Sequence, residues 1–81
     1  MIVDHEELKL GDVFEIETEQ PTTYLVEYVG KTGIGTIEAS TGKYRAFSFF
    51  GATKVNRIAS GASLSITNID DLKHHYPEYF L

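Results

Sequence analysis

Apolar and polar positions alternate with period two through much of this chain. Over residues 13–19, Phe14, Ile16 and Thr18 alternate with Glu15, Glu17 and Glu19. That pattern predicts a strand with one buried and one wet face. Gln20-Pro21 closes it, because proline has no N–H to give a central strand. Residues 22–29 predict a second strand, with Tyr24, Val26 and Tyr28 on one face and Leu25, Glu27 and Val29 on the other. Gly30, Gly33 and Gly35 read as a loose turn before a short strand over 36–39. Ser40-Thr41-Gly42-Lys43 has the composition of a hairpin turn, with Gly42 at a positive-φ position. Residues 44–50 form the strongest strand pattern, ended by Gly51. A further strand is expected over 53–59, where Val55 and Ile58 fall out of phase and so point to a bulge or to a tight crossing where the barrel bends. Residues 62–67 suggest a short edge strand. Asn68 then suits an N-cap, with Asp70 and Asp71 in the first turn, and the spacing predicts a helix over about 69–76 that Pro77 ends.

Five to six short antiparallel strands within 12–67, followed by one helical turn, predict an all-β domain spanning 1–81, a small barrel. Leu8-Lys9-Leu10-Gly11-Asp12-Val13-Phe14, the Tyr24-Leu25-Val26 strand, Gly35-Thr36-Ile37 and Val55-Asn56-Arg57-Ile58 resemble an SH3-like small barrel. In that superfold an "L-x-x-G-D" lead-in feeds the first strand and a "V-x-R-I" strand comes late. The likeness covers residues 8–59 and implies architecture; such barrels serve many functions, so function rests on the site residues.

Eighty-one residues with five tyrosines, five phenylalanines and no tryptophan build a small core with little room for an enclosed chamber. The absence of cysteine excludes disulfides, thiolate metal sites and a cysteine nucleophile. Gly30-Lys31 has Leu25 where a phosphate-binding loop of the Walker type needs glycine. Asp71 and His75 share a helix face near Glu78, yet this is a poor cage for zinc, and His74-His75 reads as a solvated pair. No nucleophile elbow occurs around any serine. No catalytic residue, cofactor or metal is therefore expected, and the chain is read as a non-enzyme. No apolar run is long enough to span a bilayer, and the acidic start, Asp4-His5-Glu6-Glu7, lacks signal-peptide character. A cytoplasmic protein without membrane association is the expectation.

Charge changes the picture most. Seven basic against twelve acidic side chains give a net charge of −5, yet the basic ones concentrate in the middle. Residues 31–60 carry Lys31, Lys43, Arg45, Lys54 and Arg57 against Glu38. Those five cations either form an anion-binding surface beside Tyr44 and Phe47, or pair across strands with the acidic segments. The Glu15/Glu17/Glu19 row is likewise either a solvated face that protects a sheet edge or an acidic stripe for a basic partner. The aromatic surplus has two readings as well. The terminal Tyr76-Pro77-Glu78-Tyr79-Phe80-Leu81 packs over Phe47, Phe49 and Phe50, or a partner or second copy covers an exposed patch.

Three functional classes follow. The first is a non-catalytic module that regulates or inhibits another macromolecule through protein contact, with Tyr24, Tyr28, Tyr44 and Phe47 at the centre and Arg45 and Arg57 at the rim. The second is a binder of a nucleotide or single-stranded nucleic acid through the basic segment 31–57. The third is a self-assembling subunit, a homo-oligomer.

Overall fold

A computed structural model of the chain describes residues 1–16, 22–39, 41–50 and 53–80. Among them lie six strands: β1 (Ile2–Asp4), β2 (Val13–Ile16), β3 (Thr22–Val29), β4 (Gly33–Glu38), β5 (Tyr44–Ser48) and β6 (Lys54–Ala59). They form one antiparallel sheet in the order β1-β6-β2-β3-β4-β5. One helix, α1 (Ile69–His75), and three 3-10 turns (His5–Glu7, Gly61–Leu64 and Pro77–Tyr79) complete the described chain. The all-β class with a short C-terminal helix is the one the patterning predicts, and the curled sheet is compatible with a small barrel.

The curl follows from a core on the concave side. Val3, Leu8, Phe14, Tyr24, Val26, Ile34 and Val55 converge there, with Ile16, Phe47 and Phe49 packed against them. Every strand thus sends at least one side chain inward. The rings of Phe14, Tyr24 and Phe47 meet with centroids 5.2–5.8 Å apart, the offset and edge-on geometry that aromatic quadrupoles favour.

The end strands, β1 and β5, do not pair with each other. His5, just after β1, spans the gap between them. Its Nε2 lies 3.2 Å from the Ser48 carbonyl, and its Nδ1 lies 3.2 Å from the Thr53 amide and 3.0 Å from the Thr53 carbonyl. With the ring proton on Nε2, the imidazole donates to Ser48 and accepts from Thr53. The His5 amide also donates to the Thr53 carbonyl at 2.9 Å. The ring packs 5.1 Å from that of Phe49 and is almost fully buried.

A second core covers part of the convex face. Val13, Leu25 and Ile37 point outward from β2, β3 and β4 and are met by Ile66, Leu72 and Tyr79 from the C-terminal segment. Leu10, Ala39, Ala59, Tyr76 and Phe80 pack around them. The terminal segment therefore does pack on the body, but over Leu25 and Ile37. It does not cover Phe47 and Phe49, which belong to the inner core, and Phe50 is 97% exposed.

The lead-in Gly11-Asp12 is tied in on both sides. Gly11 adopts φ +84°, and a Cβ there would meet the Ile66 side chain at 2.9 Å. The Gly11 amide donates to the Val26 carbonyl, and the Val26 amide to that of Asp12. The buried Asp12 carboxylate accepts from the amides of Lys9 and Gly61, both at 2.9 Å.

Four elements differ from the sequence expectations. Residues 62–67 are not a strand: Gly61–Leu64 is a 3-10 turn ended by Ser65 at φ 55°. Gly61 there is pulled against the backbone of Leu10 and Gly11, a closeness that no Cβ permits. The segment read as a loose turn narrows to residues 30–32, because Gly33 and Gly35 lie inside β4. Ile2–Asp4, too short to show a period, is a strand paired with β6. In β3, Val26 opposes Thr36 but Tyr28 opposes Gly35, so Glu27 is a bulge. Since Gly35 and Thr36 face opposite sides of β4, the bulge turns Tyr28 away from Tyr24 and onto the convex face. Of the two readings of the β6 phase error, the bulge is present: Phe14 opposes Arg57 and Val13 opposes Ala59, leaving Ile58 without an opposite residue. Gly42 takes the positive φ expected of it, at 68°. Glu17, Glu19, the turn residues Gln20, Pro21 and Ser40, and the closing Gly51 and Leu81 lie outside the described residues.

Candidate functional site

The convex face is covered over Leu25 and Ile37 and bare beyond them. On the bare part, toward the β3–β4 turn, Gly33, Gly35, Ala46 and Ser48 form the floor of an open groove of about 330 Å³, with Tyr28 and Tyr44 as its walls. The two tyrosines are 61% and 62% exposed. Lys31 and Thr32 line the end nearest the turn.

The floor has no bulky side chain for a local reason. A Cβ on Gly35 would lie 2.7 Å from Tyr44 Oη and 2.8 Å from Glu27 Oε1, so the Tyr44 ring lies across the Gly35 backbone. A Cβ on Gly30 would lie 3.0 Å from Tyr28 Cε1. A Cβ on Gly33 would run into the Phe47 backbone of the neighbouring strand. Absent side chains therefore seat both rings and bring β4 and β5 together.

The groove ends on a free sheet edge. Glu38 donates its amide to the Lys43 carbonyl at 2.9 Å, and Phe49 donates to that of Thr32 at 2.8 Å. Bonded and non-bonded pairs alternate along an antiparallel ladder. With the β4–β5 register, Arg45 and Phe47 therefore bond to β4, whereas Tyr44, Ala46 and Ser48 point their backbone groups away from the sheet. The Ser48 carbonyl meets His5. Among the described residues no strand pairs with this edge.

The sequence-predicted residues do not form one surface. Tyr28 and Tyr44 share the groove. Tyr24 and Phe47 pack in the inner core beneath Arg45. The Arg45 guanidinium sits 4.9 Å from the Phe47 centroid and 5.8 Å from that of Tyr24, and donates to Tyr24 Oη at 3.1 Å. Arg57, on β6, lies 3.7 Å from the buried Asp12 carboxylate and contacts Met1 Sδ. Lys54 pairs with Asp4 at 3.0 Å. Only Lys31 lines the groove, and Lys43 lies in the β4–β5 turn. Of the acidic row, Glu15 accepts from Asn56 Nδ2 at 3.0 Å.

Elsewhere the titratable groups serve local structure. Backbone and side-chain hydrogen bonds from Thr67 hold the Asp71 carboxyl below the usual aspartate range. Burial, reinforced by Glu78, pushes the Tyr76 and Tyr79 phenols up. Among the described residues no group of three or more His, Asp or Glu stands where it could hold a metal ion, and no helix is long and apolar enough to cross a membrane.

Two features of the site escape sequence reasoning. The Glu27 bulge leaves no signal in the alternation of residues 22–29. The glycine floor reads as a loop because glycine is rare inside strands, although an isolated strand glycine is also a signal for close backbone approach. No protein-family model, curated protein or solved structure matches the chain.

Proposed function

We propose that this protein is a cytoplasmic, non-catalytic interaction module of SH3-like architecture, which regulates or inhibits another macromolecule by protein–protein contact. The contact surface is the bare convex face of β3, β4 and β5. One observation carries this reading: two exposed tyrosines are fixed in place over glycine backbone, beside an open sheet edge. A large aromatic that is already ordered loses little conformational entropy on binding, which is why tyrosine is enriched at binding hot spots. Between the rings, Ala46 and Ser48 leave the floor without a bulky side chain, so a partner's side chain has room to lie against both tyrosines.

The test is a Tyr28→Ala/Tyr44→Ala variant in quantitative capture of the native partner. Truncating two hot-spot residues costs about 2 kcal/mol or more, so affinity is expected to fall by at least about 30-fold. The melting temperature should stay near that of the parent, because both rings are largely exposed. Unchanged capture refutes the reading.

A second reading rests on Lys31. Its ammonium lines the same groove as the two rings, so a nucleotide could stack on a tyrosine with a phosphate near Lys31. The dispersal of Arg45, Lys54 and Arg57 to other partners weakens it. Oligonucleotide affinity that falls steeply with salt, and less steeply in Lys31→Gln, would support it.

A further inference from the structure

We propose that the partner binds as an extended, acidic segment that adds to the sheet as a new strand along β5. This rests on the protein-contact reading above and specifies the chemistry of that partner.

The backbone argument comes first. β5 ends the sheet, and its ladder phase turns the amides of Tyr44, Ala46 and Ser48, with the carbonyls of Tyr44 and Ala46, toward the open side. Those groups are spaced to bond a neighbouring strand, the mode in which an extended peptide gains affinity from main-chain hydrogen bonds.

The side-chain argument supplies the specificity. Along this edge Lys43 and Arg45 alternate with Tyr44 and Ala46, so the basic residues lie on one face of the strand and the groove wall and floor on the other. A strand laid beside β5 places its own residues opposite these in the same alternation, with facing Cβ atoms about 4.5–5.5 Å apart. Acidic side chains on one side meet Lys43 and Arg45, while small or branched apolar side chains on the other lie over Ala46 and against the Tyr44 ring. The local charge leans the same way: residues 31–48 carry three basic side chains against one acidic, and with the Glu27 carboxylate over Gly35 the balance is still +1, within a chain of net charge −5. An acidic segment is drawn to the Lys43 and Arg45 face of this edge, against the acidic charge of the chain as a whole.

The experiment uses the full chain, isotopically labelled, titrated with a synthetic capped peptide of about ten residues alternating valine and glutamate, a length that matches ordinary strands. Its valine–lysine counterpart serves as control. Amide shifts are expected to concentrate at Tyr44, Ala46 and Ser48, with the lysine peptide weaker by about tenfold or more, the scale of a charge-assisted contact. Ala46→Pro removes one outward amide and no bond to β4. Proline is tolerated at such edge positions, so the melt should hold while peptide affinity drops about tenfold or more.

Equal binding of the peptide by Ala46→Pro and the parent overturns strand addition. So does an absence of amide shifts up to millimolar peptide. Native-partner capture lost in Tyr28→Ala/Tyr44→Ala but kept in Ala46→Pro overturns strand addition while sparing the protein-contact reading. Capture kept in both variants overturns both. Shifts at β5 that depend on protein concentration without peptide, or that arise with an oligonucleotide and not with the peptide, overturn the proposal in favour of a second copy or a nucleic acid.

Discussion

Removing the His5 imidazole should unseat the two ends of the sheet from each other. His5→Ala deletes the donor to the Ser48 carbonyl and the acceptor for the Thr53 amide. It also deletes a ring packed 5.1 Å from Phe49. A buried polar group left without its partner costs about 1–3 kcal/mol. Part of that is recovered if water enters, and the lost ring packing adds to it, so a net loss of about 2–4 kcal/mol is expected. Domains of this length have about 4–12 kcal/mol in total, and each kcal/mol moves the midpoint by about 4–8 °C. The melting temperature should therefore fall by about 10–30 °C. Circular dichroism melts measure this, and urea titration checks that the slope is unchanged. His5→Phe retains a ring against Phe49 without the two hydrogen bonds, so its midpoint should lie between those of the parent and His5→Ala. A His5→Ala midpoint within about 2 °C of the parent, far below the shift of 4 °C or more expected per kcal/mol, would refute the claim that this ring holds β1 and β5 together.

Two further predictions concern the groove floor and the terminal segment. Gly33→Ala should destabilise the fold by about 1–3 kcal/mol, because its Cβ meets the Phe47 backbone, which cannot yield without shifting β5. Gly35→Ala meets side-chain atoms of Tyr44 and Glu27 rather than backbone, and both side chains can turn outward, so it should change stability by less than about 0.5 kcal/mol while weakening partner capture by displacing Tyr44. Matched melts and capture assays on the two variants check this, and similar stability losses in both would count against the geometry. The raised Tyr76 and Tyr79 phenols predict an alkaline limit. Their folded-state values lie above the unfolded value near 10, so their contribution is complete below about pH 10 and is lost as pH rises past it. Melts from pH 8 to 11 should show a decline that Tyr76→Phe/Tyr79→Phe reduces; an equal decline in that variant would argue against it.

The strands were legible by composition even where the period slipped. Residues 44–48 and 54–59 announce themselves by β-branched and aromatic content, and the phase error at Val55 and Ile58 locates the β6 bulge. Gly42 and Asn68 were readable because each answers a single local demand, positive φ in a turn and a first-turn acceptor on α1. What alternation cannot show is a face shared between two cores. Val13, Leu25 and Ile37 are buried although they lie opposite the inner core, because the C-terminal segment covers them. Leu25 and Val26 are adjacent and both fully buried, so a one-sided reading of β3 misplaces half its residues. The cations illustrate the same limit. Arg57 and Asp12 are 45 positions apart in sequence, and only the β2–β6 pairing brings them within reach of each other.

The two halves of the convex face differ in a way that bears on what the bare half does. Where α1 and the terminal turn lie, the sheet offers Leu25, Ile37 and Val13, bulky apolar residues that bury much area against other side chains. Where the terminal segment does not reach, it offers Gly33, Ala46 and Ser48, with Gly35 beneath the Tyr44 ring. A surface of that kind buries little apolar area per residue and gives a helix nothing to interlock with. It leaves the bordering Tyr28 and Tyr44 rings to supply the apolar area. A binding partner suited to it is therefore thin and extended, held by main-chain hydrogen bonds and gripped by two rings rather than seated in a pocket. The β5 edge, with its unbonded amides on the same side, meets that requirement within one strand's width.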